Sequence, residues 1–296
     1  VAQDESSIDG ASEERTAIAV PSPDAAPARQ RSDGRVGVRV VRHGIGTHVA
    51  DLSEAGPLRL RLPRHAAGAC EAVLLNTAGG IACGDGFRVE AEVGAGAHLV
   101  LTTTAAEKIY KSDGPSSHVG TRAVLAEGAR LDWLPQETIL FDRARLERRF
   151  EADLAPDARL LAFEAVVFGR TARHERLDSG LFRDAWRIRR GGRLAYAESL
   201  AFDGPITALL ERTALGGGAR AMATLLDVSP DAEARLEAFR SHVDALASPG
   251  VDIAASAWNG HLVARFLSAA PDALRAMAAR LLVAYRGMPM PRVWQS

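Results

Sequence analysis

From Val36 onward, the chain is a succession of short runs in which apolar and polar positions alternate or β-branched residues cluster, each closed by Gly, Pro or Asp. VGVRVVRH, LRLRLP, CEAVLLNT, FRVEAEV and HLVLTTTAA form a first group; RAVLAEGARLDWLP, LERRFEADL, ARLLAFEAVVFG, FRDAWRIRR and RLAYAESLAF continue it. In LRLRLP the two-residue period sets Leu58, Leu60 and Leu62 on one side and Arg59 and Arg61 on the other. Arg189-Arg190-Gly191-Gly192-Arg193 reads as a hairpin turn, because glycine takes positive φ at little cost. No long helical period separates successive strands, which argues against a doubly wound βαβ chain. The pattern predicts a mainly β fold: a single β-rich domain of stacked, largely antiparallel sheets with a few helices near the C-terminus.

Two helices are expected there. Ser229-Pro230 offers an N-cap with proline at the first helical position, and Leu236, Phe239, Val243 and Leu246 line one face. Pro271-Asp272 opens the second, with Leu274, Met277, Leu281 and Tyr285 at helical spacing. Between them, IAASAWNGHLVARFL carries Asn259-Gly260 between apolar runs, a strong hairpin signal.

The segment before this pattern is acidic and rich in Ala, Ser and Pro, with few large apolar residues. Residues 1–35 are therefore expected to be a flexible N-terminal extension and 36–296 the β-rich domain. That opening also lacks a basic start, an apolar run and a small-residue cleavage site, so no secretory signal is read. Later apolar stretches meet charge well before the roughly 20 residues of a membrane helix. A cytoplasmic location follows by elimination.

Composition narrows the function classes. With 296 residues, 47% hydrophobic and 25% charged, the chain is an ordinary globular protein, and its formal net charge of -1 disfavours nucleic acid and anionic membranes as partners. Positive charge is nearly all arginine, Lys108 and Lys111 being the only lysines, a bias compatible with a protein-binding surface. The cysteines, Cys70 and Cys83, make no disulfide framework.

Local motifs carry little chemistry. NTAGGIACGD, residues 76–85, exposes Cys83 and Asp85 on a glycine-rich path or simply turns a corner. It lacks the terminal Gly-Lys-Ser/Thr of a phosphate loop. The stretch Thr102–Lys111 fits edge or rim residues better than a catalytic lysine. Asp132 and Glu137 flank Pro135 and read as exposed strand positions unless a pocket pairs them. No HExxH, CxxC or GxSxG occurs; His118, His174 and Glu175 meet Cys83 or Asp85 only if the fold brings them together, a donor set that suits nickel.

Taken in order, LLNTAGGIACGD, LTTTAAEKIYKS, LDWLPQETILFD, VVFGRTARHE, FRDAWRIRRGGRLAYAE, SAWNGHLVARFL and the terminal PRVW resemble the urease accessory protein family UreD, also called UreH, over roughly Val36 to Trp294. The resemblance implies a non-enzymatic scaffold that binds the urease apoprotein, the helical partner UreF and the GTP-hydrolysing nickel carrier UreG. It implies no tightly bound cofactor, only transient contact with Ni(2+) on its way to the urease active site. Asp85 and Glu175 match acidic motif positions and are the candidates for a polar conduit; Cys83 and His174 stand where the family commonly has small residues and are additional candidate ligands. Trp258, Leu262 and Phe266 are candidate contacts for UreF or, equally, core. The competing readings are a β-fold hydrolase using Asp85, Glu137 or Glu175, and a static structural subunit.

Overall fold

A computed structural model describes residues 31–63, 68–247 and 249–295. The chain starts as two hairpins: β1 (Asp33–His43) with β2 (Gly46–Ala55), then β3 (Leu58–Arg61) with β4 (Cys70–Asn76). These hairpins belong to different sheets. From there the chain shuttles between the same two sheets. Strands β5 (Gly86–Val93), β8 (Ser117–Leu125), β11 (Arg145–Leu154) and β13 (Leu181–Arg190) join the first; β6 (His98–Thr103), β9 (Arg130–Leu134) and β12 (Arg159–Phe168) join the second. Short β7 (Glu107–Ile109) and β10 (Thr138–Leu140) pair with each other, and β10 also pairs with β12. Strand β14 (Arg193–Asp203) closes the first sheet as a hairpin with β13, while β15 (Ala221–Val228), β16 (Val251–Trp258) and β17 (His261–Ser268) complete the second.

This shuttling overturns the expectation of largely antiparallel sheets. The outer sheet runs β14-β13-β11-β8-β5-β1-β2, and every pairing from β13 to β1 is parallel. In the second sheet, β12, β9, β6 and β4 are also parallel neighbours. Parallel neighbours need a crossover, and absence of helices between strands seemed to forbid one. Here the crossover is itself a strand, laid down in the opposite sheet.

Three layers result. Even-numbered residues of β12, such as Leu160, Ala162, Val166 and Phe168, pack into the core between the sheets. Odd-numbered Leu161, Phe163, Ala165 and Val167 face a second core shared with α2 (Leu236–Leu246) and α3 (Pro271–Arg286), which follow α1 (Ile206–Glu211) along the chain. A strand buried on both faces must read as a continuous apolar run, and ARLLAFEAVVFG does. The outer sheet buries one face only, so its strands alternate, as in β1, where Val36, Val38 and Val40 are buried and Arg35 and Arg39 beside them are exposed.

Both predicted glycine hairpins form: Gly191 and Gly192 have φ 56 and 76, and Asn259 and Gly260 φ 50 and 75. Helix α3 begins at Pro271 and buries Leu274, Met277, Leu281 and Tyr285. The other expected helix starts later than Ser229-Pro230, at Leu236 after a 3-10 turn, because Ser229 Oγ bonds Asp231 Oδ1 instead of capping it. Helix α1 had no strong apolar period and was not foreseen. Leu58 and Leu60 are buried, but the strand ends at Arg61 and leaves Leu62 41% exposed. Of the expected extension, residues 33–35 already belong to β1 and residues 31 and 32 lead into it, while residues 1–30 lie outside the described residues. Among the described residues, no helix is long and apolar enough to cross a membrane.

Candidate functional site

The fold puts the sequence-derived candidates in two main places, the glycine-rich corner before β5 and the turn after β12. Asp85 stands at the mouth of β5, buried, its Oδ1 accepting from the Ser32 amide at 2.7 Å and its Oδ2 from the Ala82 amide at 2.7 Å. It pins the glycine-rich corner to the start of β1. Cys83, half-buried in the same corner, donates to Asp113 Oδ1 and accepts from Ser112 Oγ, each at 3.1 Å. Glu175 follows the 3-10 turn after β12 and takes a bidentate contact from Arg170, 2.9 Å to Nε and 2.6 Å to Nη2. The Arg170 hydrogen bonds hold the Glu175 carboxyl below its ordinary value. His174, exposed, occupies the left-handed cap of that turn at φ 52. His118 lies on the exposed face of β8. Among the described residues, no group of three or more His, Cys, Asp or Glu is arranged to hold a metal ion. Glu137, the remaining hydrolase candidate, faces Arg275 at 3.4 Å, apart from the attachments of Asp85 and Glu175.

A different set of charges converges between the sheets. Strand alternation puts Arg148 on the same side of β11 as Leu146 and Phe150, and Asp184 on the same side of β13 as Phe182 and Trp186. Glu164 likewise follows the inward parity of Ala162 and Val166 on β12. The three meet: Arg148 Nη2 is 2.6 Å from Asp184 Oδ2 and 2.9 Å from Glu164 Oε2. Indole N–H groups complete the cluster, Trp133 donating to Glu164 Oε1 at 2.7 Å and Trp186 to Asp184 Oδ2 at 3.2 Å. Arg148 Nη1 also reaches Thr138 Oγ1 at 3.4 Å. A buried guanidinium shared by two carboxylates, each of which also accepts from an indole, is the pairing that burial of charge demands.

Arg148, Glu164 and Thr138 of this cluster line a cavity of about 70 Å³ that also meets Glu107, Thr103 and Gln136, with Ile81, Phe87 and Trp133 on its apolar side. None of Cys83, Asp85, His174 and Glu175 lines it. Burial pushes the Glu107 carboxyl up to about 7, against the opposing hydrogen bond from Asn76. Burial also raises Glu164, and the negative charge of Asp184 adds to that rise while Arg148 and Trp133 oppose it. The cavity therefore presents two carboxyl groups that bind a proton more tightly than usual, beside hydroxyl and amide oxygens. Glu164 is already paired with Arg148, whereas the side-chain donor to Glu107 is the neutral amide of Asn76.

Sequence reading missed this set, although a signal existed. Arg148, Glu164 and Asp184 are charges on the apolar parity of their strands, and only mutual neutralisation makes such positions tolerable. Asp132 was missed similarly: expected at an exposed strand position, it is fully buried on the helix side of β9. Burial alone would raise its carboxyl. The His98 hydrogen bond and the Arg130 and Arg286 guanidinium groups outweigh burial and hold it well below the carboxylate range.

Comparison with known proteins covers nearly the whole folded chain. Residues 32–295 match the family model for UreD urease accessory protein. "Urease accessory protein UreD 1" of Methylobacterium radiotolerans is 63% identical over 283 residues, 93% of this chain and 97% of that protein. "Urease accessory protein UreD" of Xanthobacter autotrophicus is 53% identical across 90% of this chain and 91% of its own. A protein of the same description from Rhodopseudomonas palustris is 44% identical over 91% of this chain and 95% of its own.

Proposed function

Since the chain belongs to the UreD family of urease accessory proteins, we propose that it is a non-catalytic maturation factor that binds urease apoprotein together with UreF and UreG and assists GTP-dependent nickel insertion. Full-length family membership is the observation that carries this reading. The cavity between the sheets supports the nickel part of it: Glu107, hydrogen-bonded to the neutral Asn76, offers an oxygen donor beside Thr103 and Gln136, too few donors to trap a divalent cation. Nickel is the cargo here, passed along oxygen donors and water. Asp85 and Glu175 also brace their loops, through Ser32, Ala82 and Arg170, and Cys83 and His174 are the further candidates for transient contact with the ion. A hydrolase would need a substrate pocket, and the cavity of about 70 Å³ that holds Glu107 and Glu164 is well below the roughly 300–1,000 Å³ of such pockets.

The test is reconstitution: urease apoprotein, UreF, UreG, GTP, bicarbonate and nickel, with and without this chain, reading bound nickel and recovered urease activity. Dependence of both on the chain is expected. If complexes form without it and nickel content is unchanged, the maturation role fails; complex formation that needs the chain while nickel loading does not would identify a static subunit.

A further inference from the structure

We propose that the outward face of the seven-stranded sheet carries a docking site for an acidic side chain of a protein partner, seated over Gly120 between the guanidinium groups of Arg88 and Arg149. The site does not depend on the urease reading.

Register creates it. Arg88 on β5 and Arg149 on β11 are both Cα partners of Gly120 on the intervening β8. The two arginines thus stand level on one face, roughly 10 Å apart at the backbone by the ordinary strand spacing. Both are exposed, with the inward neighbours Val89 and Phe150 buried. Gly120 supplies no side chain, and a Cβ built there would meet nothing within 4 Å. Ala185 and Ser199, next in the same row, keep the floor low toward β14. Together they shape an open trough of about 500 Å³.

Charge pairing picks out the same two residues. The other arginines that line the trough have acids at hand: Arg122 is 3.6 Å from Asp153, Arg148 2.6 Å from Asp184 and Arg183 3.8 Å from Glu147. Among the described residues, Arg88 and Arg149 make no hydrogen bond or ion pair. Two guanidinium forks facing one gap offer the bidentate geometry that a carboxylate accepts best.

The surroundings define the occupant further. Glu90, Glu147 and Glu151 alternate with the arginines around the trough, so it presents both signs of charge rather than the unbroken positive stripe that a nucleic-acid strand rewards. A protein segment of mixed charge fits: one Asp or Glu enters the Arg88–Arg149 gap while its own cations meet the bordering acids.

A labelled peptide, Lys-Gly-Glu-Gly-Lys-Gly-Glu-Gly-Lys, and its counterpart with both Glu replaced by Gln test this by fluorescence anisotropy on the full chain at fixed ionic strength. The Glu peptide should bind at least about tenfold more tightly. Arg88→Gln and Arg149→Gln should each erase that preference. Gly120→Glu should do so too, because it fills the gap with a tethered carboxylate at a position where the backbone and space allow it. Arg39→Gln, an exposed change elsewhere on this face, should shift binding by less than about twofold. The proposal falls if neither peptide binds, if the preference survives these changes, or if Arg39→Gln matches them. It also falls if inorganic phosphate displaces the peptide as well as free glutamate-containing peptide does, or if a single-stranded oligonucleotide binds more tightly through the same arginines.

Discussion

Arg286 Nη2 lies 2.9 Å from Asp132 Oδ2, joining α3 to β9 across 154 positions of sequence with both side chains almost wholly buried. Arg130 at 3.0 Å and His98 at 3.3 Å share the same carboxylate. Asp132→Asn leaves the buried Arg286 and the part-exposed Arg130 facing a neutral amide. It should cost about 3–5 kcal/mol of unfolding free energy in a urea titration. Combining it with Arg286→Met should recover part of that loss. Because the carboxyl titrates well below 3.8, its contribution should persist at pH 4 and fade only as pH falls further.

Glu107 titrates in the opposite sense. Its folded value of about 7 lies above the ordinary 4.5, so folding takes up a proton between those values. Wild-type stability should therefore fall relative to Glu107→Gln as pH rises from about 4.5 to about 7, by on the order of 1–3 kcal/mol. Thermal unfolding of both proteins across that range checks the sign; parallel curves would refute the buried carboxyl.

Gly169 links β12 to the Glu175 turn at φ +87, and a Cβ there would sit 2.5 Å from the Glu175 carbonyl oxygen. Gly169→Ala combines a disfavoured backbone region with a clash against main chain. A loss of at least about 1–3 kcal/mol is expected from the backbone alone. Equal melting temperatures for variant and parent would contradict this packing.

Trp258 and Phe266 separate surface from core on the last hairpin. Trp258 is 50% exposed and touches the His261 ring at 4.3 Å, whereas Phe266 is 1% exposed against Phe163. Leu262 is also buried, so of the three proposed UreF contacts only Trp258 is presented to solvent. Phe266→Ala should cost about 3–5 kcal/mol. Trp258→Ser should change stability by less than about 1 kcal/mol while weakening co-purification with UreF, an affinity loss that intact folding would tie to the interface.

The sequence by itself determined the β class, both glycine hairpins, the face of α3 and the ordered motifs that point to the family. These rest on local chemistry: a two-residue or 3.6-residue period, positive φ at Gly191 and Gly192, and proline at a helix start. Parallel pairing was decided by the tertiary structure, since a strand that crosses to the opposite sheet has the same alternation as one that turns back. The same holds for the charged interior. Arg148, Glu164 and Asp184 each break an apolar pattern in a separate strand, and only the approach of β11, β12 and β13 makes them neutralise one another. Asp85 and Glu175 were legible as motif residues, but their engagement by Ser32 and Arg170 depends on where the loops close. Periodicity fixes which way a side chain points; what it meets there is set by contacts that span the chain.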